Sequence, residues 1–406
     1  MIMTRAVKSL FLVLLAYGGA LQAEVKEALY GRAPDSTFAA GWPLRVNPPN
    51  RLAAFDGRAV KALYQDKPVW LKASQTPRPL PRQLAKFGFF HNPQDMLNRH
   101  AIMAMALIKD GSIVFEKYQY GTSAASLFDS QSIAKHLTGL SIGVAVDTGK
   151  LSSLDTAMAT LVPQLSGSPM GVATVRQTLN MQCGHAFKWE DDGGTESSAA
   201  LYAQARYAAA GKGGRNLYRY YEEIKGNTPG KVFAYDPHCS DSLSLLVTQL
   251  SGQTLRQYFE DNIWRKLQPT HPAVWLSPSQ HPELTSGASS FYASLGDYAL
   301  LAQMEIDGGR LHGQSILSGD WMLRMTEDSV PVAKSENENF KRYGYQTWIR
   351  TDEAGSWFAG LGNHGQRFYI DPKNRSAMLI FALDFDHIKD SDKFWEWFRK
   401  TSADKF

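Results

Sequence analysis

Cysteine is nearly absent. The chain has two in 406 residues, Cys183 and Cys239, so it can form one disulfide at most, and neither sits in a Cys and His arrangement that would make it a nucleophile. An excess of one charge is also missing: 43 lysines and arginines face 39 acidic residues, a formal +4, which gives no electrostatic case for nucleic acid. No internal repeat or low-complexity tract is visible. The apolar run near the N-terminus, Leu10–Tyr17, is too short to span a bilayer comfortably as an anchor. What remains, 44% hydrophobic and 20% charged, is ordinary globular composition with ample material for a core, and the length suggests two or three structural units.

That N-terminal run follows Arg5 and Lys8 and precedes Gly18-Gly-Ala20-Leu-Gln-Ala23, which reads as a secretory signal peptide cleaved after Ala20 or Ala23. Removing residues 1–23 takes Arg5 and Lys8 with it and lowers +4 to +2. No cysteine follows the run, so a lipid anchor at that site is excluded. The expected location is the periplasm or the outside, where the two cysteines either pair or stay as buried thiols.

Residues 24–95 carry Pro77-Arg-Pro-Leu-Pro81 and other prolines without sustained periodicity. They read as an extended arm ordered by Trp42, Trp70 and Phe89-Phe90. Ile102–Ile108 and Ile113–Tyr120 read as strands joined at Asp110-Gly111, a hairpin signal. Helices and polar loops follow to about residue 310, among them Val172–Met181, Ser197–Ala210 and Ser240–Leu250. Strands return at 343–350, 357–360, 366–370 and 377–383, before a last helix at 391–401. This order predicts an α/β (α+β) fold: one antiparallel sheet from both chain ends, flanked by helices, in a domain of residues 96–150 and 311–406. Residues 151–310 then form an all-helical insertion domain.

Phe128-Asp-Ser-Gln-Ser132-Ile-Ala-Lys135 leads into a helix whose Ile133, Leu137, Leu140 and Val144 form one buried face. Ser132 stands in its first turn, beside unpaired N–H groups and the positive end of the dipole. Lys135, three residues on, shares that face. A desolvated lysine loses its proton more readily and can take the serine's.

The ordered segments resemble the serine β-lactamase and penicillin-binding-protein family, in particular its branch of esterases and 6-aminohexanoate-dimer-hydrolase-like amidases. Ser132-Ile-Ala-Lys135 looks like its Ser-x-x-Lys. Thr174–Met181 looks like the helix before the active-site loop, and Pro229-Gly-Lys-Val-Phe-Ala-Tyr235 like the lead-in to its second motif. Tyr343–Trp348 and Gly362-Asn-His-Gly-Gln366 look like the closing strands. The resemblance implies a β-lactamase/transpeptidase-like fold, Ser132 as acylated nucleophile, Lys135 as its base and Tyr235 as proton relay. It implies an oxyanion hole from the Ser132 N–H and a strand N–H around Gln366 or Arg367, and no cofactor or metal.

Two departures narrow the substrate. The second motif reads Tyr235-Asp236-Pro237, which lacks the side-chain amide of β-lactamases. The third reads His364-Gly365-Gln366 in place of Lys-Thr-Gly, and a histidine is a conditional cation. Both point toward an ester or small linear amide and away from β-lactams and D-Ala peptides. His364, Gly365, Gln366 and Trp348 are expected to line the cleft, with Glu190 and Asp191 on an acidic loop beside it. His185 reads as a polar residue next to a turn. The alternatives are a D-Ala carboxypeptidase or weak β-lactamase, and a catalytically silent wall- or partner-binding module. A small-molecule ester or amide is the expected partner, with no nucleic acid and no stable membrane anchor.

Overall fold

A computed structural model describes residues 67–184, 228–277, 285–334 and 336–405. The signal-peptide segment, Trp42, the expected 197–210 helix, His185, Glu190 and Asp191 lie outside them. The framework is an eight-stranded antiparallel sheet. Its strands are β1 (Ile102–Lys109), β2 (Ser112–Tyr118), β3 (Val330–Pro331), β4 (Arg342–Gly344), β5 (Thr347–Asp352), β6 (Gly355–Gly362), β7 (Gln366–Asp371) and β8 (Ser376–Ala382). They stand in the order β2-β1-β8-β7-β6-β5-β4-β3. The two chain ends therefore meet at β1 and β8. Every residue of β1, β7 and β8 is buried, the mark of central strands covered on both faces.

The described helices packed on this sheet or on one another include α1 (Pro93–Arg99), α2 (Ile133–Asp147), α3 (Val175–Leu179), α4 (Pro237–Ser251), α5 (Leu255–Asn262), α6 (Leu295–Ile306), α7 (Gly319–Glu327) and α8 (Ile388–Phe398). Alternation along the strands sorts the contacts by face. Tyr298 of α6 meets Phe368 and Phe381 on one face, while Trp395 of α8 meets Trp357 and Tyr369 on the other. No described helix is long and apolar enough to cross a membrane.

Three expectations need correction. The 151–310 segment is not all helical: Ala273–Ser277 and Phe291–Ala293 are strands, paired with Lys67–Leu71 and Phe128–Asp129 in a second small sheet. Each run is only three to five residues long, too short to show its period. Helix α2 buries more than one face, because Ile133 to Ala145 are buried throughout; it is a central helix, and its polar residues are hydrogen-bonded inside. The arm is not ordered by Phe89 and Phe90, which are 86% and 89% exposed. Backbone bonds from Gln83 and Ala85 to Ile113 and Val114 hold it, with the Arg82–Glu116 ion pair at 2.6 Å and buried Leu80, Met96 and Leu97.

Candidate active site

The turn before α2 is pinned on both sides. Ser130 N–H donates to the Phe291 carbonyl at 2.7 Å, and Asp129 accepts from the Gln131 N–H at 2.9 Å. Gln131 is left-handed, φ 48°, a conformation costing a non-glycine residue about 1 kcal/mol or more. It turns the chain sharply so that Ser132 begins the helix without capping it: its side chain makes no cap bond. The hydroxyl instead accepts from Lys135 Nζ at 2.9 Å.

Lys135 is 2% exposed. Its Nζ also donates to the Ala288 carbonyl at 2.9 Å and stands 4.9 Å from the centre of the Tyr235 ring. Tyr235 precedes α4 and belongs to no regular element. Its phenol is pushed up to about 12, first by withdrawal from water, with hydrogen bonding to Ser132 and Trp348 holding part of the rise back. The structure thus brings Ser132, Lys135 and Tyr235 together.

Trp348 joins them. It lies 5.0 Å from the Tyr235 ring and forms a cross-strand pair with Tyr343, whose ring centre is 5.0 Å away edge to face. Phe233 packs on both, completing an aromatic wall. The hairpin tip between β4 and β5, Tyr345-Gln346, is left-handed at both residues, φ 47° and 71°, where Asn-Gly would be the relaxed choice. Side-chain bonds hold it: Asn180 accepts from Tyr345 N–H at 3.0 Å, and Ser240 donates to Gln346 at 2.5 Å.

The third-motif residues fall differently from expectation. Gln366 is fully buried, and its amide bonds Ala382 N–H at 2.9 Å and Ala382 carbonyl at 2.8 Å, so it fastens β7 to β8. The Gly365 carbonyl accepts from His387 Nε2 at 2.9 Å, making that glycine part of a structural turn. His364 is left-handed, φ 60°, and stacks on Phe385 with centres 5.8 Å apart. Arg367 uses its guanidinium on the Gln366 carbonyl at 2.9 Å. The strand that passes the start of α2 is β6: a β-carbon at Gly360 would lie 3.1 Å from Ile133, and one at Gly362 would lie 2.6 Å from the Ser130 carbonyl oxygen.

Sequence reasoning missed Gly360, Ala288 and His136, and read Gly362 only as part of the motif around His364. The Gly-x-Gly of 360–362 inside a strand was the readable signal, since strand glycines mark close backbone approach. A carbonyl such as that of Ala288 leaves no sequence signal. His136 is fully buried, 2.7 Å from Glu305 Oε2 and 2.6 Å from Thr347 Oγ1. It ties α2 to α6 and to the residue before Trp348, and burial raises Glu305 above the usual carboxylate range.

Cys183 and Cys239 form a disulfide with Cα atoms 6.0 Å apart. Their sulfurs and an Asp236 oxygen lie within 4.8 Å of one another, the grouping among the described residues that could hold a metal, but with both sulfurs in the bridge no thiolate is offered. Asp236 instead accepts from the His238 N–H at 2.9 Å as N-cap of α4, and Pro237 takes the first helical position.

A sequence profile of the family described as Beta-lactamase matches residues 94–393. The 6-aminohexanoate-dimer hydrolase of Paenarthrobacter ureafaciens is 23% identical over 287 residues, covering 68% of this chain and 71% of that protein. Among solved structures, a Bacillus anthracis protein assigned as a 6-aminohexanoate-dimer hydrolase superposes with TM-score 0.71 at 20% identity, over 85% of this chain and 94% of that one. A family VIII carboxylesterase superposes with TM-score 0.54 at 16% identity, over 73% and 90%. A D-alanine carboxypeptidase from Burkholderia cenocepacia does so with TM-score 0.55 at 15% identity, over 75% and 96%.

Proposed function

The chain belongs to the beta-lactamase family and is a serine hydrolase, and we propose that it is an exported one that cleaves carboxylic esters or small linear amides through an acyl-enzyme on Ser132. The observation that carries this is the Lys135 Nζ at 2.9 Å from the Ser132 hydroxyl with the Tyr235 ring over the same amine. In its neutral form the amine keeps two N–H bonds, one of them to Ala288, and turns its lone pair to the serine proton. A phenol at about 12 stays protonated at neutral pH, with roughly one molecule in 10⁵ ionised. This favours Lys135 as the acceptor and Tyr235 as the group that hands a proton to the leaving atom. The Ser132 N–H and an N–H of β6 beside Gly360–Gly362 would receive the oxyanion.

The likeness to a 6-aminohexanoate-dimer hydrolase and to a carboxylesterase supports the ester or amide reading. The Arg5, Lys8 and Leu10–Tyr17 pattern and the disulfide support export, since such bridges persist in oxidising compartments. A fluorophosphonate probe is expected to label the wild type and spare Ser132→Ala. Equal labelling of the two would remove Ser132 as nucleophile.

A further inference from the structure

Tyr235 lies outside any helix or strand, yet a proton relay tolerates little displacement: about 1 Å of misplacement can cost on the order of 100-fold in rate. Among the described residues, its segment is tied to residues 181–183 by backbone hydrogen bonds and by the disulfide. Gly230 N–H donates to the Gln182 carbonyl and Ala234 N–H to the Met181 carbonyl, both at 2.9 Å. The other tie is the Cys183–Cys239 bridge, which joins the first turn of α4, four residues past Tyr235, to the same short stretch. Both cysteines are buried, at 2% and 0% exposed. The two backbone hydrogen bonds contribute about 1 kcal/mol each; the bridge is covalent.

The neighbour of Cys239 extends the reach of this clamp. Ser240 bonds Gln346 at 2.5 Å, in the hairpin tip two residues before Trp348. The α4 start therefore fixes the phenol on one side and the aromatic wall on the other. Ser132 and Lys135 themselves ride on a different element, α2, and meet the clamp through the contact of Gly287, next to the Ala288 carbonyl that Lys135 bonds, with the Ser240 backbone.

We propose that the Cys183–Cys239 disulfide is a positioning element for the Tyr235 phenol, so that opening it slows turnover while leaving Ser132 and Lys135 in place. This rests on the role given to Tyr235 above. A dithiol opens the bridge in a balanced exchange: its two thiols form their own disulfide, and the two electrons and two protons they lose convert the S–S bond to two thiols.

The test is a double-mutant cycle on a butyrate ester of a simple alcohol, measuring kcat and KM separately, with native protein reduced by dithiothreitol as a second route. The variant Cys183→Ala/Cys239→Ala is expected to lose about 10- to 100-fold in kcat, with KM changed less than about 3-fold. In a Tyr235→Phe background the same removal is expected to cost less than about 3-fold, because no phenol is left to position. An equal loss in both backgrounds, or none in the wild type, would overturn the proposal. So would unfolding of the reduced or bridge-free protein at assay temperature, which would make the bridge a global staple. If Tyr235→Phe alone keeps wild-type activity, the proposed relay role fails and the clamp falls with it, an outcome read separately from the bridge arm.

Discussion

Replacing Tyr235 by phenylalanine removes one oxygen and leaves the ring, so its packing against Trp348 and Lys135 survives, and what is lost is the hydroxyl with its proton and its hydrogen bonds to Ser132 and Trp348. With the phenol at about 12, the group is a donor throughout the working range. It should therefore matter in proportion to how badly the leaving atom needs a proton. Loss of a positioned general acid costs about 10²- to 10⁴-fold, or about 3 to 5 kcal/mol of barrier. For a nitrophenyl ester, whose leaving group departs as a stable anion, the expected loss is under about 10-fold; for an alkyl ester or alkyl amide with the same acyl group it is the full range. The assay is kcat/KM across a series with one acyl group and leaving groups of increasing basicity. Log rate against leaving-group basicity should fall more steeply in Tyr235→Phe than in the wild type. Parallel lines would refute the assignment, and so would a wild-type rate that declines between pH 8 and 10 on an ionisation absent from the variant.

Two further outcomes test the support around the site. In Gly362→Ala the added β-carbon would lie 2.6 Å from the Ser130 carbonyl oxygen, so β6 must move off the start of α2; kcat is expected to fall about 10- to 100-fold, and a change under twofold in steady-state assays would contradict the placement of the oxyanion strand. His387 is buried against the Gly365 carbonyl and Ser391, and burial lowers it from 6.5 to about 3. The unfolded chain then binds a proton that the folded one refuses, so stability is full above 6.5 and is lost as pH falls toward 3. At pH 4.5 that amounts to about 3 kcal/mol. Urea midpoints of wild type and His387→Gln at pH 7 and 4.5 check it, and equal acid losses in the two proteins would sink it.

The fold was legible where period and length agree. Strands β1 and β8 announce themselves by long runs of Ile, Met, Leu and Ala, and Asp110-Gly111 forms the expected turn, with φ 49° and 84°. The two strands at 273–277 and 291–293 were not legible because they are short and owe their state to pairing with distant residues 67–71 and 128–129, a tertiary effect that local propensity does not carry. The start of α4 shows the same limit from the other side. Tyr235-Asp236-Pro237 read as a second motif missing its amide, whereas Asp236 and Pro237 are an N-cap and first-turn residue, a local reading that the caps themselves supported.

The site divides along a similar line. Residues that act through a side chain, Ser132, Lys135, Tyr235 and Trp348, could be named because the family pattern constrains their type. Residues that act through backbone or by making room could not be assigned, since a glycine's meaning depends on what comes near it. Gln366 illustrates the converse: a polar side chain next to Gly365 suggested contact with substrate, but buried polar groups need partners, and this one finds both in Ala382. With Gln366 and Gly365 committed to the β6–β7 turn and its seat on His387, the adjoining Gly360–Gly362 stretch is held against the start of α2 from behind. Gln366 and Gly365 therefore act as a brace for the strand.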